Sequence, residues 1–120
     1  MKYFQLSEFD SSDAPGSGSN MDPYFLQLLD IIRGEANIPF RVNSGYRTEA
    51  HNADPKVGGK KNSAHRLGKA VDIQADSGYE KFAIVSAAIK HGIKRIGIGK
   101  DFIHLDNAIT DLPWPTIWLY

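Results

Sequence analysis

Between Ser63 and Asp72 the chain reads Ser-Ala-His-Arg-Leu-Gly-Lys-Ala-Val-Asp, and this stretch restricts the possible folds more than any other. It sets His65 and Asp72 seven residues apart with Gly68 between them. Gly68 permits a tight turn or a close backbone approach, and Ala70 permits close packing. Ala70-Val71-Asp72-Ile73 reads as the start of a strand in which Asp72 faces away from Val71 and Ile73. A third ligand-type residue, His104, follows in Asp101-Phe-Ile-His104-Leu-Asp106. Two nitrogens, one carboxylate oxygen and an open fourth position make the coordination set of a catalytic zinc site, which acidifies water and polarises carbonyls. Hydrolysis is therefore the first expectation.

Strand geometry limits the neighbours of His104. Residues three apart on a strand point to opposite faces, so Asp101 can share a site with His104 only if it lies outside the strand. Ile98-Gly99-Lys100-Asp101 supplies a turn that would place it there. Asp106 lies two residues after His104, on the same face, and periodicity alone favours it as base, ligand or partner of a ligand. A hydrogen bond to the other ring nitrogen of a ligand histidine is the role expected for it. On the residues alone, Arg47 reads as a solvated cation on a loop after a short apolar strand, and Ser63 as a turn residue. His51, at a helix start, and His91, before Gly92 at a helix end, read as structural rather than ligating. Trp114 and Trp118 lie in a tail whose prolines argue against a helix, and core packing is expected for both.

The chain of 120 residues, 42% of them hydrophobic, can bury one compact core, so a single domain over 1–120 is expected. Fourteen basic and fourteen acidic residues balance, which gives no electrostatic case for nucleic acid or a membrane surface as partner. With no cysteine, neither disulfides nor thiolate metal sites are available. The first ten residues lack the apolar core of a secretory signal. Synthesis in the cytoplasm without a signal peptide is the expectation, with delivery to any extracellular target left to another agent.

Ser11 to Asn20 reads as a flexible loop joining a short N-terminal strand to the first helix. Asp22-Pro23 is an N-cap followed by proline at the first helical position, and the helix is expected to end near Gly34. Phe40 to Ser44 reads as a strand, Thr48 to Ala53 as a short helix, and Asp54 to Asn62 as a loop. Ser77-Gly-Tyr-Glu80 fits a capping box, opening a helix with an expected buried stripe of Phe82, Val85, Ala88 and Ile89. Ile93 to Ile98 and Phe102 to Leu105 are expected to form an antiparallel hairpin. The predicted class is α+β, with a small, mainly antiparallel central sheet and packed helices.

Ser7-Glu-Phe-Asp10, Ser44-Gly-Tyr-Arg47, the Ser63 to Asp72 motif and Phe102-Ile-His104-Leu-Asp106 together resemble the zinc D-alanyl-D-alanine carboxypeptidase family. That family includes dipeptidases, wall endopeptidases and phage endolysins, and the resemblance is closest to its small single-domain members. The resemblance implies the Hedgehog/D-Ala-D-Ala peptidase type of fold and a zinc ion held by His65, Asp72 and His104. It implies Asp101 as the general base, where many relatives have Glu, Arg47 as the group that steadies the oxyanion, and Ser63 as a substrate contact. The implied substrates are peptidoglycan stem peptides, cut by a monomer as carboxypeptidase, L-Ala-D-Glu endopeptidase or cross-link endopeptidase. A phage endolysin would reach the wall, in the periplasm, through lysis or injection. The competing reading is a non-catalytic zinc module for wall binding or virion assembly.

Overall fold

Alternation of side chains along the central strands divides the molecule into an apolar half and a polar half. The computed structural model describes residues 1–61 and 63–120. Its elements are α1 (Pro23–Ala36), β1 (Val42–Ser44), α2 (Glu49–Ala53), β2 (Ala70–Gln74), α3 (Gly78–Lys90), β3 (Arg95–Ile98), β4 (Phe102–Asp106) and β5 (Thr116–Leu119). The strands form one sheet in the order β1-β2-β4-β3-β5. The β1–β2, β2–β4 and β4–β3 pairs are antiparallel, and β5 lies parallel to β3 at the edge. The α+β class with a mainly antiparallel sheet, and the β3–β4 hairpin, are as expected.

Val71, Ile73, Ile96, Ile103 and Leu105 are fully or almost fully buried on one face of the sheet. They pack against Phe25, Leu29 and Ile32 of α1 and Ile84, Ala87 and Ala88 of α3. Each large apolar side chain removed from water contributes about 1.5–3 kcal/mol, so this layer anchors the sheet from behind. The opposite face carries the polar motif residues. No described helix is long and apolar enough to cross a membrane.

Several local expectations are corrected. The N-terminus forms a 3-10 turn at Leu6–Phe9 in place of a strand, because only Phe9 of that segment is buried. Residues 11–20 are folded: the Asp10 carboxylate accepts the N–H groups of Gly16 (2.9 Å) and Gly18 (2.7 Å), and a second 3-10 turn covers Ser17–Asn20. The first helix runs past Gly34 to Ala36, where Asn37 takes the left-handed capping conformation with φ 56°. Its start is as expected, with Asp22 Oδ2 accepting from the Phe25 N–H at 3.0 Å. On β1, Phe40 leaves the ladder to join the core.

The buried stripe of α3 is partly as expected, with Ala88 buried and Val85 packed against the core. Phe82 is 74% exposed and Ile89 54%, whereas Ile84, Ala87 and Ala88 face the core. Alanine at two of these positions lets α3 pack closely against α1 and the sheet, a gain that side-chain size alone does not signal. The strand expected from Ile93 begins at Arg95. The tail, whose prolines argue against a helix, adds the parallel edge strand at Thr116–Leu119. Asn62, the last residue of the loop expected over 54–62, lies outside the described residues.

Candidate metal centre and active site

One cross-strand row carries the site. Ser44 on β1 pairs with Asp72 on β2, Asp72 with His104 on β4, His104 with Gly97 on β3, and Gly97 with Trp118 on β5. Pairing therefore places Asp72 and His104 directly opposite each other although they are 32 residues apart in the chain. His65 arrives from the turn before β2. Gly68 has φ +71° there, and a Cβ on it would lie 2.4 Å from the Asn20 carbonyl oxygen, so the turn and its close approach both require glycine.

Ligand-type atoms of His65, Asp72 and His104 lie within 4.8 Å of one another. Asp72 Oδ1 is 3.4 Å from His65 Nε2 and 2.9 Å from His104 Nδ1. The outward ring nitrogens are also engaged. His65 Nδ1 donates to the Gly45 carbonyl at 2.8 Å, and His104 Nε2 donates to Asp106 Oδ2 at 2.6 Å. Those bonds orient both rings and direct the remaining nitrogens inward, the arrangement that metal-ligating histidines require. Asp106 is itself held by Arg95 Nε at 2.8 Å and the Ala108 N–H at 3.1 Å.

Electrostatics separate the two histidines. Burial lowers the pKa of His65 and outweighs its contacts with Asp72, which favours the neutral ring a metal needs. Burial also opposes charge on His104, but hydrogen bonds to Asp106 and Asp72 prevail and raise its pKa. Asp72 is held well below the ordinary carboxylate range: burial opposes ionisation, and the hydrogen bonds from His104 and His65 overcome it. Asp106 is lowered in the same way, against burial, mainly by His104. Two inward nitrogens and a stably ionised carboxylate, in a buried pocket with every outward donor satisfied, fit a zinc ion.

Arg47 is not the solvated residue that its residue type suggests, since its side chain is only 12% exposed. Its Nη2 lies 3.3 Å from Asp72 Oδ2, its Nε donates to Ser44 Oγ at 3.0 Å, and Nη1 reaches Asn52 Oδ1 at 3.5 Å. Asn52 is buried, and its amide also donates to the Lys60 carbonyl at 2.7 Å. A Cβ on Gly59 would fall 1.9 Å from Asn52 Oδ1, so the loop closes on this amide only through glycine. Neither Asn52 nor Gly59 was singled out in the sequence, where the pair leaves no periodic signal.

Ser63 is half-buried and its Oγ accepts the His65 N–H at 3.2 Å, which caps the ligand turn. Asp101 meets the geometric condition set above, lying just outside β4. Its carboxylate is exposed and makes no hydrogen bond or ion pair with the described residues, and its carbonyl accepts from the Ala75 N–H at 2.9 Å. His91 lies 3.4 Å from Glu35 between α3 and α1, and His51 hydrogen-bonds Ser11, so neither joins the metal group. The tryptophans are not core residues. Trp114 is 49% exposed, and Trp118 lies against His104 with ring centroids 5.3 Å apart, while Arg95 sits 5.0 Å over its ring. A Cβ on Gly97 would lie 2.7 Å from Trp118 Nε1, so this glycine admits the indole to the site face.

A cleft of about 470 Å³ opens beside this centre, lined by residues that include Ser12, Ser44, Arg47, His51, Asp72 and Phe102. A buried His-Asp-His set bordered by a fixed guanidinium and an open cleft defines the centre of a metallopeptidase. The chain belongs to the Peptidase M15 family, whose model matches residues 2–106. It is a zinc peptidase with His65, Asp72 and His104 as the metal-binding triad. The fold is similar to that of the crystal structure of Serratia marcescens L-Ala D-Glu endopeptidase ChiX, with a TM-score of 0.56 and 23% identity. That likeness covers 82% of this chain and 86% of the other. Comparison with curated proteins gives no match.

Proposed function

We propose that this chain hydrolyses an amide bond within peptidoglycan stem peptides, acting as a monomer that reaches the wall by phage lysis or injection. The observation that carries the reading is the placement of Asp72, which faces both histidines through Oδ1 and Arg47 through Oδ2. Membership of the Peptidase M15 family supports the reaction, and the likeness to the Serratia L-Ala D-Glu endopeptidase supports an L-Ala–D-Glu bond over a terminal D-Ala–D-Ala bond.

Zinc in such a set acidifies water and polarises a carbonyl. The protein's own groups do the rest. His65 and His104 are held in fixed orientations by Gly45 and Asp106, so the centre needs little reorganisation when substrate arrives. Arg47 keeps N–H bonds beyond those spent on Ser44, Asp72 and Asn52, and in our reading these receive the oxygen that gains charge as the amide is attacked. Asp101, exposed and unpaired among the described residues, takes the proton of the attacking water and returns it to the leaving amine. Ser63 caps the His65 turn, and the family resemblance assigns it a substrate contact as well.

The test is incubation of the zinc-loaded chain with purified wall material, with new amino and carboxyl termini identified by mass spectrometry. New L-Ala carboxyl and D-Glu amino termini, lost after EDTA and restored by zinc, are expected. Stoichiometric zinc with no new termini would instead identify a non-catalytic wall-binding module.

A further inference from the structure

We propose that His51 and Ser12 grip one extended residue of the substrate in the cleft beside the metal centre. The chain would then be an endopeptidase that favours peptides longer than a dipeptide. This rests on the peptidase reading above and specifies the substrate class for that site.

Ser11 fixes the tautomer of His51. Its hydroxyl is buried, 2.6 Å from Asp13 Oδ1 and 2.8 Å from His51 Nδ1, and it accepts the Thr48 N–H at 3.2 Å. A hydroxyl has one proton to donate and an ionised carboxylate can only accept, so that proton goes to Asp13. The hydrogen between Ser11 and His51 must then come from the ring, and Nδ1 carries it. Asp13 is fixed from its other oxygen by Thr48 Oγ1 at 2.6 Å, and the Thr48 hydroxyl accepts the His51 N–H at 3.1 Å. The imidazole is thereby locked in one tautomer and one orientation, with the lone pair of the neutral ring on Nε2.

That nitrogen lies 3.4 Å from Ser12 Oγ, and both residues line the cleft that holds Arg47 and Asp72. Neighbouring side chains are held by other partners. Asp10 accepts from Gly16 and Gly18, and the Asn43 amide donates to Gln74. The Ser12 hydroxyl donates to His51 Nε2 across a long contact at an exposed residue, and a ligand can replace it by accepting from Ser12 and donating to Nε2. An extended residue offers its own N–H and C=O on the same side, the pairing that closes antiparallel ladders, and this acceptor and donor complement it. The pair offers a backbone N–H and C=O one acceptor and one donor, the complement of an internal residue.

The test uses the zinc-loaded full chain and peptides sharing one L-Ala–D-Glu bond: the dipeptide, and versions lengthened by one and two residues at either end. Wild-type kcat/KM should rise on lengthening at one end. Ser12→Ala and His51→Ala should each cut that advantage by about 3- to 10-fold, the scale of one neutral hydrogen bond, and the change should lie in KM. His51→Gln, whose amide oxygen can accept, should recover part of it. Ser12 is exposed and outside the buried network, so its variant decides the matter even if His51→Ala fails to fold. Equal losses on short and long peptides, or wild-type rates independent of length, would overturn the clamp while leaving the peptidase reading intact. No hydrolysis of any peptide by the wild type would remove both.

Discussion

His104 is held between two carboxylates, with Nδ1 2.9 Å from Asp72 Oδ1 and Nε2 2.6 Å from Asp106 Oδ2. One contact turns the ring toward the metal set and the other anchors it from behind. Both favour the imidazolium, so zinc must compete with a proton for Nδ1.

Zinc affinity should therefore depend on pH with a known sign. The pKa of His104 is raised above its ordinary value of 6.5, so the fraction that must lose a proton grows as pH falls through that raised value. Apparent affinity should drop by about tenfold per pH unit below it, and calorimetry in buffers of different ionisation enthalpy should find about one proton released per zinc. Affinity that is flat across this range would show that His104 is not a ligand.

Removing any member of the triad should abolish stoichiometric zinc. His65→Ala, Asp72→Ala and His104→Ala each leave two of three protein ligands, and each should also lose the thermal stabilisation that zinc confers on the wild type. Metal analysis after dialysis checks this, and full zinc content in His104→Ala would refute the ligand set.

Asp106 and Asp101 should separate metal binding from chemistry. Asp106→Asn should weaken zinc by about 10- to 100-fold, because a neutral amide replaces the charged acceptor that orients His104 and raises its basicity. It should also flatten the acid limb of stability in the metal-free chain. The folded pKa of Asp106 is depressed, so its contribution is present above the unfolded value near 3.8 and lost as pH falls through the folded one. Asp101→Ala should keep zinc and fold while turnover falls by about 10²-fold or more. Normal turnover in Asp101→Ala beside a zinc-replete, inactive Asp106→Asn would transfer the base to Asp106.

Arg47→Lys should behave as a severe change. A lysine lacks the planar fork by which the guanidinium reaches Ser44, Asp72 and Asn52 from three nitrogens, so it cannot keep that bridge and aim a second N–H at the substrate carbonyl. Turnover should fall by about 10²-fold with zinc content unchanged and a smaller change in KM. Wild-type rates in both Arg47→Lys and Arg47→Ala would show that charge stabilisation comes from elsewhere.

Gly97→Ala should disturb the site from the far side of His104. The added methyl would overlap the Trp118 indole and the Tyr120 ring, 2.7 and 2.6 Å away. A loss of about 1–3 kcal/mol is expected from denaturant unfolding, with a shift in tryptophan emission as the indole leaves its place against His104. Unchanged emission and stability would mean that the aromatic wall adjusts freely.

The metal ligands were legible in the sequence because their chemistry is local. A histidine, a forced glycine turn and a lone acid in an apolar strand announce themselves within ten residues, and His104 repeats the pattern on another strand. Caps were legible for the same reason, as Asp22 and Ser77 bond to backbone groups three residues on. What the sequence left open depends on partners distant in the chain. Arg47 reads as a surface cation until Asp72, Ser44 and Asn52 close around it, and Trp118 reads as core until a parallel edge strand lays it over Gly97. The exposed flank of α3 follows from how closely two alanines let it approach α1, which no helical periodicity encodes. Residue type and spacing determined which groups could bind metal and where turns must fall. Cross-strand register and the packing of the sheet decided which of those groups meet, because pairing across strands is set by the whole assembled sheet and not by neighbours along the chain.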